Sequence, residues 1–136
     1  MLEKMVKWLQ NFPDWEDSIQ IDSVDERPGN VGLYPKGLTE ISRREDVLGN
    51  LQIRYRFDML LRKNAGKSEE NARWLLAFQA WVMEQDRLGL APRFGDDPKQ
   101  EHIRVTEGQL QSLSQVGSAL YTVKLWAEFT KIYEGE

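Results

Sequence analysis

The clearest pattern in the chain lies at residues 51–61. Leu51, Ile53, Tyr55, Phe57, Met59 and Leu61 alternate there with Gln52, Arg54, Arg56 and Asp58. A period of two puts the two sets on opposite faces of a strand, one for a core and one for water or a partner. The period then changes. Ser68 offers an N-cap hydroxyl, and Glu69 and Glu70 follow where the helix dipole favours acids. Ala72, Trp74, Leu75, Phe78, Trp81, Val82 and Leu88 form an apolar stripe that predicts an amphipathic helix over 68–88. Gly89 suits its end, and Pro92 follows soon after.

Weaker signals flank these two elements. Leu2, Met5, Val6 and Leu9 share a helical face, and Pro13 stops that helix. Ile19 and Ile21 alternate with Gln20 and Asp22 in a short strand, and Arg27-Pro28-Gly29-Asn30 is a turn by composition. Residues 31–34 predict another short strand that Pro35 and Gly37 end or place at an edge. Residues 39–46 predict a very polar strand, and Gly49-Asn50 a hairpin turn into the strand at 51. Ile103 and Val105 mark a strand over 101–107, whereas 108–117 reads as a loop.

The last element, from about Ala119 to Tyr133, alternates in two sets. Tyr121, Val123, Leu125, Ala127 and Phe129 make one face, and Leu120, Trp126 and Ile132 belong to the other. Typical strands run about 5–6 residues, so this one is expected to bend at a bulge or to extend past its own sheet. The expected architecture is a single α+β domain over residues 1–136. It has a mostly antiparallel sheet of about four to six strands, packed against one main helix with a short N-terminal helix.

Composition narrows the function classes. The 136 residues carry a net charge of −4, so a phosphate-gripping nucleic-acid binder is disfavoured. There is no cysteine, which excludes disulfides, thiolate zinc sites and cysteine nucleophiles, and suits a reducing cytoplasm. No apolar run reaches the length of a membrane helix, and the N-terminus lacks a signal-peptide core, so an intracellular protein is expected where the chain is made.

Candidate chemistry is sparse. Ala65-Gly66-Lys67-Ser68 lacks the earlier glycine of a phosphate loop, since position 61 is Leu61. His102 stands alone as the only histidine, and its neighbour Glu101 belongs to the opposite strand face. Asp96-Asp97 lacks calcium-loop spacing, and Asp14, Glu16 and Asp17 read as a polar linker. Trp74, Phe78 and Trp81 could wall an apolar pocket, though their helical spacing suits a core. The denser feature is basic. Arg43 and Arg44, set beside Arg54 and Arg56 by a hairpin, serve either as edge protection or as an electrostatic docking surface.

The order of segments also carries information. A Leu-Glu-Lys helix containing Trp8-Leu9 opens the chain, and Pro28-Gly29 follows. Asp46-Val47-Leu48-Gly49-Asn50 leads into Ile53-Arg54-Tyr55-Arg56-Phe57. Trp81-x-x-Glu84-Gln85, Leu88-Gly89-Leu90-Ala91-Pro92, Phe94-Gly95, Ile103-x-Val105, Gly108-x-Leu110 and Tyr121-Thr122-Val123-Lys124-Leu125 complete the series. Almost the whole chain resembles the small tail-terminator, minor-capsid-type proteins of phages and prophages of Gram-positive bacteria. The charged segment 39–46 departs from that pattern.

The resemblance implies a structural, non-enzymatic protein without a cofactor or metal. It implies a ring, usually hexameric, that caps the tail tube and forms part of the head–tail junction. The implied partners are further copies of the chain, the tail tube protein and a head completion protein, with no nucleic acid and no membrane. The implied location is the bacterial host cytoplasm during assembly and the virion tail thereafter. Arg43, Arg44, Arg54, Arg56 and Trp126 are the candidate interface residues. Two alternatives stand beside this reading: another minor capsid or head–tail connector protein, and a small-molecule-binding domain built on the aromatic helix face.

Overall fold

A computed structural model of the chain describes residues 2–15, 18–24, 28–43, 51–106, 108–113 and 117–131. Helix α1 (Leu2–Leu9) precedes β1 (Ser18–Ile21), β2 (Asn30–Arg43) and β3 (Leu51–Asn64). Helix α2 (Ser68–Arg87) follows, and β4 (His102–Val105), β5 (Gln109–Leu113) and β6 (Ser118–Lys131) complete the order. The strands form one sheet in the order β1-β2-β3-β6, and β4 and β5 share the outer side of β6. Every pairing is antiparallel except that of β1 with β2. This is the α+β class that the alternation and the helical stripe predict.

The centre of the sheet is the β3–β6 pair. Its register runs unbroken from Leu51 opposite Lys131 to Asn64 opposite Ser118. The inward sets of both strands fall in phase, so Phe57, Met59, Leu61, Val123, Leu125, Ala127 and Phe129 are each at most 2% exposed. The last strand therefore neither bulges against β3 nor overhangs it. Its 14 residues are matched by the 14 of β3, and the length that looks excessive in the sequence is used by the sheet. Ile132 and Tyr133 lie outside the described residues.

Two other expectations need correcting. The segments at 31–34 and 39–43 are not separate strands, because β2 runs through Pro35 and Gly37, and residues 44–46 of the second expected strand lie outside the described residues. Register shifts between Pro35 and Gly37, and again between Glu40 and Ser42, let the strand continue past a residue with no N–H and a glycine at φ 101°. The stretch read as a loop at 108–117 contains β5, paired with β6. All five β5 residues are exposed, so no buried face imposed an alternation that the sequence could display.

Helix α2 buries Leu75, Phe78 and Val82, whereas Ala72 and Leu88 at the edges of the expected stripe are exposed. Ser68 is not its N-cap. A 3-10 turn over residues 65–67 precedes the helix, and Ser68 already has helical angles. The Asn64 side chain accepts from Gly66 N at 2.9 Å, and Asn71 Nδ2 donates to Asn64 O at 2.8 Å, tying the turn to the helix. Gly89 ends the helix at φ 72°, a left-handed conformation that glycine adopts without strain.

The aromatic face of α2 meets α1. Trp8 and Trp81 are 4.7 Å apart by ring centroid, and Phe12 lies 5.5 Å edge-on to Phe78. Both half-dry indoles find acceptors: Trp8 Nε1 donates to Leu90 O at 2.8 Å and Trp74 Nε1 to Asp14 O at 3.2 Å. The Trp74/Phe78/Trp81 face is thus filled by the chain's own Trp8, Phe12 and Trp15. Glu16 and Asp17 of the acidic linker lie outside the described residues.

Beyond the helix, the loop at 91–97 is held against β4 and β6. Gly95 allows this contact, since a Cβ there would lie 2.5 Å from Thr130 O. Glu101, 3% exposed, accepts from Gly95 N at 2.6 Å and Phe94 N at 3.3 Å. Burial pushes its pKa above the ordinary glutamate range, while those two N–H donors and nearby Arg93 and Lys131 pull the other way.

Three outcomes follow from this core. Phe57→Ala should cost about 3–5 kcal/mol in urea unfolding, because Phe57 is fully buried at the centre of the ladder. Glu101→Ala should cost about 1–3 kcal/mol by leaving two buried N–H groups without an acceptor. A raised native pKa means the neutral acid is the better-accommodated form. Relative to Glu101→Gln, the native protein should therefore be most stable below pH 4.5 and lose that margin as pH rises through the raised value. Parallel melts of both proteins across pH check the sign.

Candidate docking face of the sheet

The pleat that sends Phe57 and Leu125 inward sends their neighbours to the opposite face. That face carries Gln52, Arg54, Arg56, Asp58, Leu60 and Arg62 from β3, and Thr122, Lys124, Trp126 and Glu128 from β6. Both helices pack on the other side, so the described residues leave this face uncovered by helix. The ladder sets Arg54 opposite Glu128, Arg56 opposite Trp126 and Asp58 opposite Lys124. On its other flank Arg56 lies opposite Gly37 of β2, which offers no side chain.

Charges here are only partly matched. Arg54 Nη2 donates to Glu128 Oε1 at 3.0 Å, and its guanidinium lies 5.7 Å from the Trp126 ring centroid. Lys36 Nζ is 3.8 Å from Asp58 Oδ2. These pairs use both carboxylates of the face and leave Arg56, Arg62 and Lys124 without an acidic partner among the described residues. Among the described residues, Arg54 Nε and Arg62 Nε and Nη1 are buried with no hydrogen-bond partner, an arrangement that carries a desolvation cost. The face is therefore cationic on a chain whose net charge is −4.

Part of this face forms an open trough of about 610 Å³. Tyr34, Lys36 and Asp58 line one wall, and Thr106, Gln111 and Lys124 the other. The lining mixes hydrogen-bonding groups with apolar surface, Leu60 among it, and the trough continues the same face as Arg56 and Trp126.

The sequence marks Arg54, Arg56 and Trp126 each as a candidate interface residue, and the β3–β6 register brings the three onto one face. Arg43 closes β2 as the partner of Leu51, at the end of the sheet beyond Arg54. Arg44 and the Asp46–Asn50 turn lie outside the described residues. Lys36, Arg62 and Lys124 were missed. Lys36 and Arg62 fall outside the strand patterns legible in the sequence and Lys124 within one, and only the register shows that the three share a face with few acids.

The remaining candidates take structural roles. His102 is half-exposed, and its Nδ1 lies 3.2 Å from Asp86 Oδ1. Asp86 also accepts from Ile103 N at 3.0 Å and from Arg104 Nη1. It is a brace from α2 to the outer edge of β4. Asp97 accepts from Lys99 N at 3.0 Å, and Asp96 lies 3.9 Å from Lys131. Among the described residues, no cluster of His, Cys, Asp or Glu has the makings of a metal site. None of the described helices is long and apolar enough to cross a membrane.

Compared with known proteins, the chain matches no family model and no curated protein. The functional reading therefore rests on its own residues.

The Arg54–Glu128 pair has side chains 39% and 25% exposed, so solvent screens it. A double-mutant cycle with Arg54→Gln and Glu128→Gln should give a coupling of about 0.2–1 kcal/mol in urea melts. Such a value means the pair orients Arg54 more than it stabilises the fold.

Proposed function

We propose that this protein is a structural assembly component of a phage or prophage tail. In this reading it caps the tail tube as a ring of identical subunits and forms part of the head–tail junction. The observation that carries the proposal is the sheet face that the described residues leave uncovered by helix, where Arg56, Arg62 and Lys124 have no acidic partner among those residues and lie beside Trp126 on an acidic chain. Desolvated arginine and tryptophan are the residue types most often found at the energetic centres of protein interfaces. The partner surface is acidic and belongs either to the next copy or to the tail tube. The order of sequence segments supports the same reading.

The head–tail connector alternative uses the same face and differs in which partner it meets. The small-molecule alternative has no comparable support, because α1 and Trp15 fill the aromatic face it required.

Arg54 cannot be reversed cleanly, since a glutamate there would oppose Glu128. The test therefore pairs Arg56→Glu with Arg54→Gln. The double variant should keep its circular dichroism and melt within a few degrees of the native protein. Its co-sedimentation with tail tubes, or its assembly into rings, should fall at least about tenfold, the equivalent of about 1.4 kcal/mol. Undiminished assembly would remove the arginine face from the proposal.

A further inference from the structure

The sheet has two lateral edges, and they are finished differently. The outer side of β6 carries β4 and β5 end to end. Asp86 closes the β4 half by accepting the outward N–H of Ile103, and Asp86 and Arg104 put charge there. This is ordinary protection of a sheet edge. The β5 half has no such charge and carries only a register irregularity between Leu110 and Ser112. Its sequence Gln109-Leu110-Gln111-Ser112-Leu113 contains no charge and no proline, every residue is exposed, and β5 pairs only with β6 among the described residues. Leu110 is 53% and Leu113 66% exposed.

The opposite edge is β1, whose Ser18-Ile19-Gln20-Ile21 is equally free of charge and proline and pairs only with β2 among the described residues. Ile21 is 41% exposed. Two geometric facts make these edges complementary. Ile21 lies opposite Leu33, and Leu110 and Leu113 lie opposite Tyr121 and Ala119, so all three exposed residues are on the helix-bearing face. Furthermore, β1 is parallel to β2, and β2 and β6 both run against β3, whereas β5 runs against β6. Hence β1 is antiparallel to β5. A neighbour that continues the sheet with the same face inward would pair its β1 antiparallel to β5, the commoner and slightly more stable ladder.

We propose that the β5 edge of one copy accepts the β1 edge of the next, extending one sheet across the junction. This rests on the reading of the chain as a subunit that assembles with itself, and it names the contact between copies. Main-chain hydrogen bonds would supply the pairing, and Ile21 of the neighbour would continue the apolar layer of Leu110 and Leu113. A groove of about 270 Å³ between α2 and Tyr121 of β6, lined by Leu75, Leu76 and Gly108, lies next to Leu110, the residue opposite Tyr121. Each edge is only four or five residues long, so a single contact is weak. The contact is head-to-tail, which leaves one open edge at each end until a ring closes.

Edge lysines test this directly, because a charge on the strand blocks pairing while exposed positions tolerate it. One variant carries Leu110→Lys and Leu113→Lys, and a second carries Ile21→Lys. Light-scattering mass is measured for the native protein, each variant and their equimolar mixture, with circular dichroism as the folding check. The expected result is an assembled native protein, two folded variants at the single-chain mass of 15.9 kDa, and a two-chain species in the mixture. The mixture recovers one contact because each variant keeps one intact edge. Variants that assemble as the native protein does would overturn the edge contact and leave the ring reading standing. A mixture that stays at single-chain mass up to the highest accessible concentration, far above that at which the native protein assembles, would also overturn the edge contact. A native protein that stays at single-chain mass over the whole accessible concentration range would overturn both.

Discussion

The ladder between β3 and β6 is the interaction on which the rest of the molecule depends. It joins two strands of 14 residues in one register without a shift. Because the side-chain period of a strand is two, a slip by one residue would turn Phe57, Met59 and Leu61 away from Val123, Leu125 and Phe129. Everything buried is built on that phase. Phe78 and Val82 of α2 and Met5 and Leu9 of α1 close over the apolar face of these two strands, and β2 and β4 extend it sideways. The same phase commits Arg54, Arg56, Lys124 and Trp126 to the opposite face. Core and candidate docking face are two consequences of one register.

What could be read from the sequence tracks how strongly burial patterns it. Residues 51–61 and 119–129 alternate because one face of each is dry and the other wet, and both strands are where the sequence puts them. The stripe on α2 is legible for the same reason, and Gly89 marks its end because a left-handed residue is needed there. The signal fails where burial is absent or the backbone departs from a regular pleat. Nothing in Gln109–Leu113 is buried, so β5 has no pattern. The bulges near Gly37 and Ser42 split the apparent period of β2 and make one strand look like two. Ser68 reads as a cap only if the preceding turn is invisible, and a 3-10 turn leaves no periodic trace.

The docking face was half legible for a related reason. Alternation identifies which residues point outward, and Arg54, Arg56 and Trp126 follow from it. Which outward residues meet across strands depends on register, which no local pattern states. That Glu128 would hold Arg54, and that Arg62 would be left with unmatched donors, required the pairing of β3 with β6. The brace from Asp86 to β4 spans 17 positions to Ile103 and carries no sequence mark at all.

The long central ladder has a mechanical consequence. A pull along the strands would load its hydrogen bonds in parallel, so that many must yield at once. A pull across the sheet would open them one after another, beginning at the short outer strands. The domain is therefore stiff along one axis and compliant along another. If strands in an assembly lie along the direction of thrust, the subunits resist compression and tension end to end while the seams between them can flex.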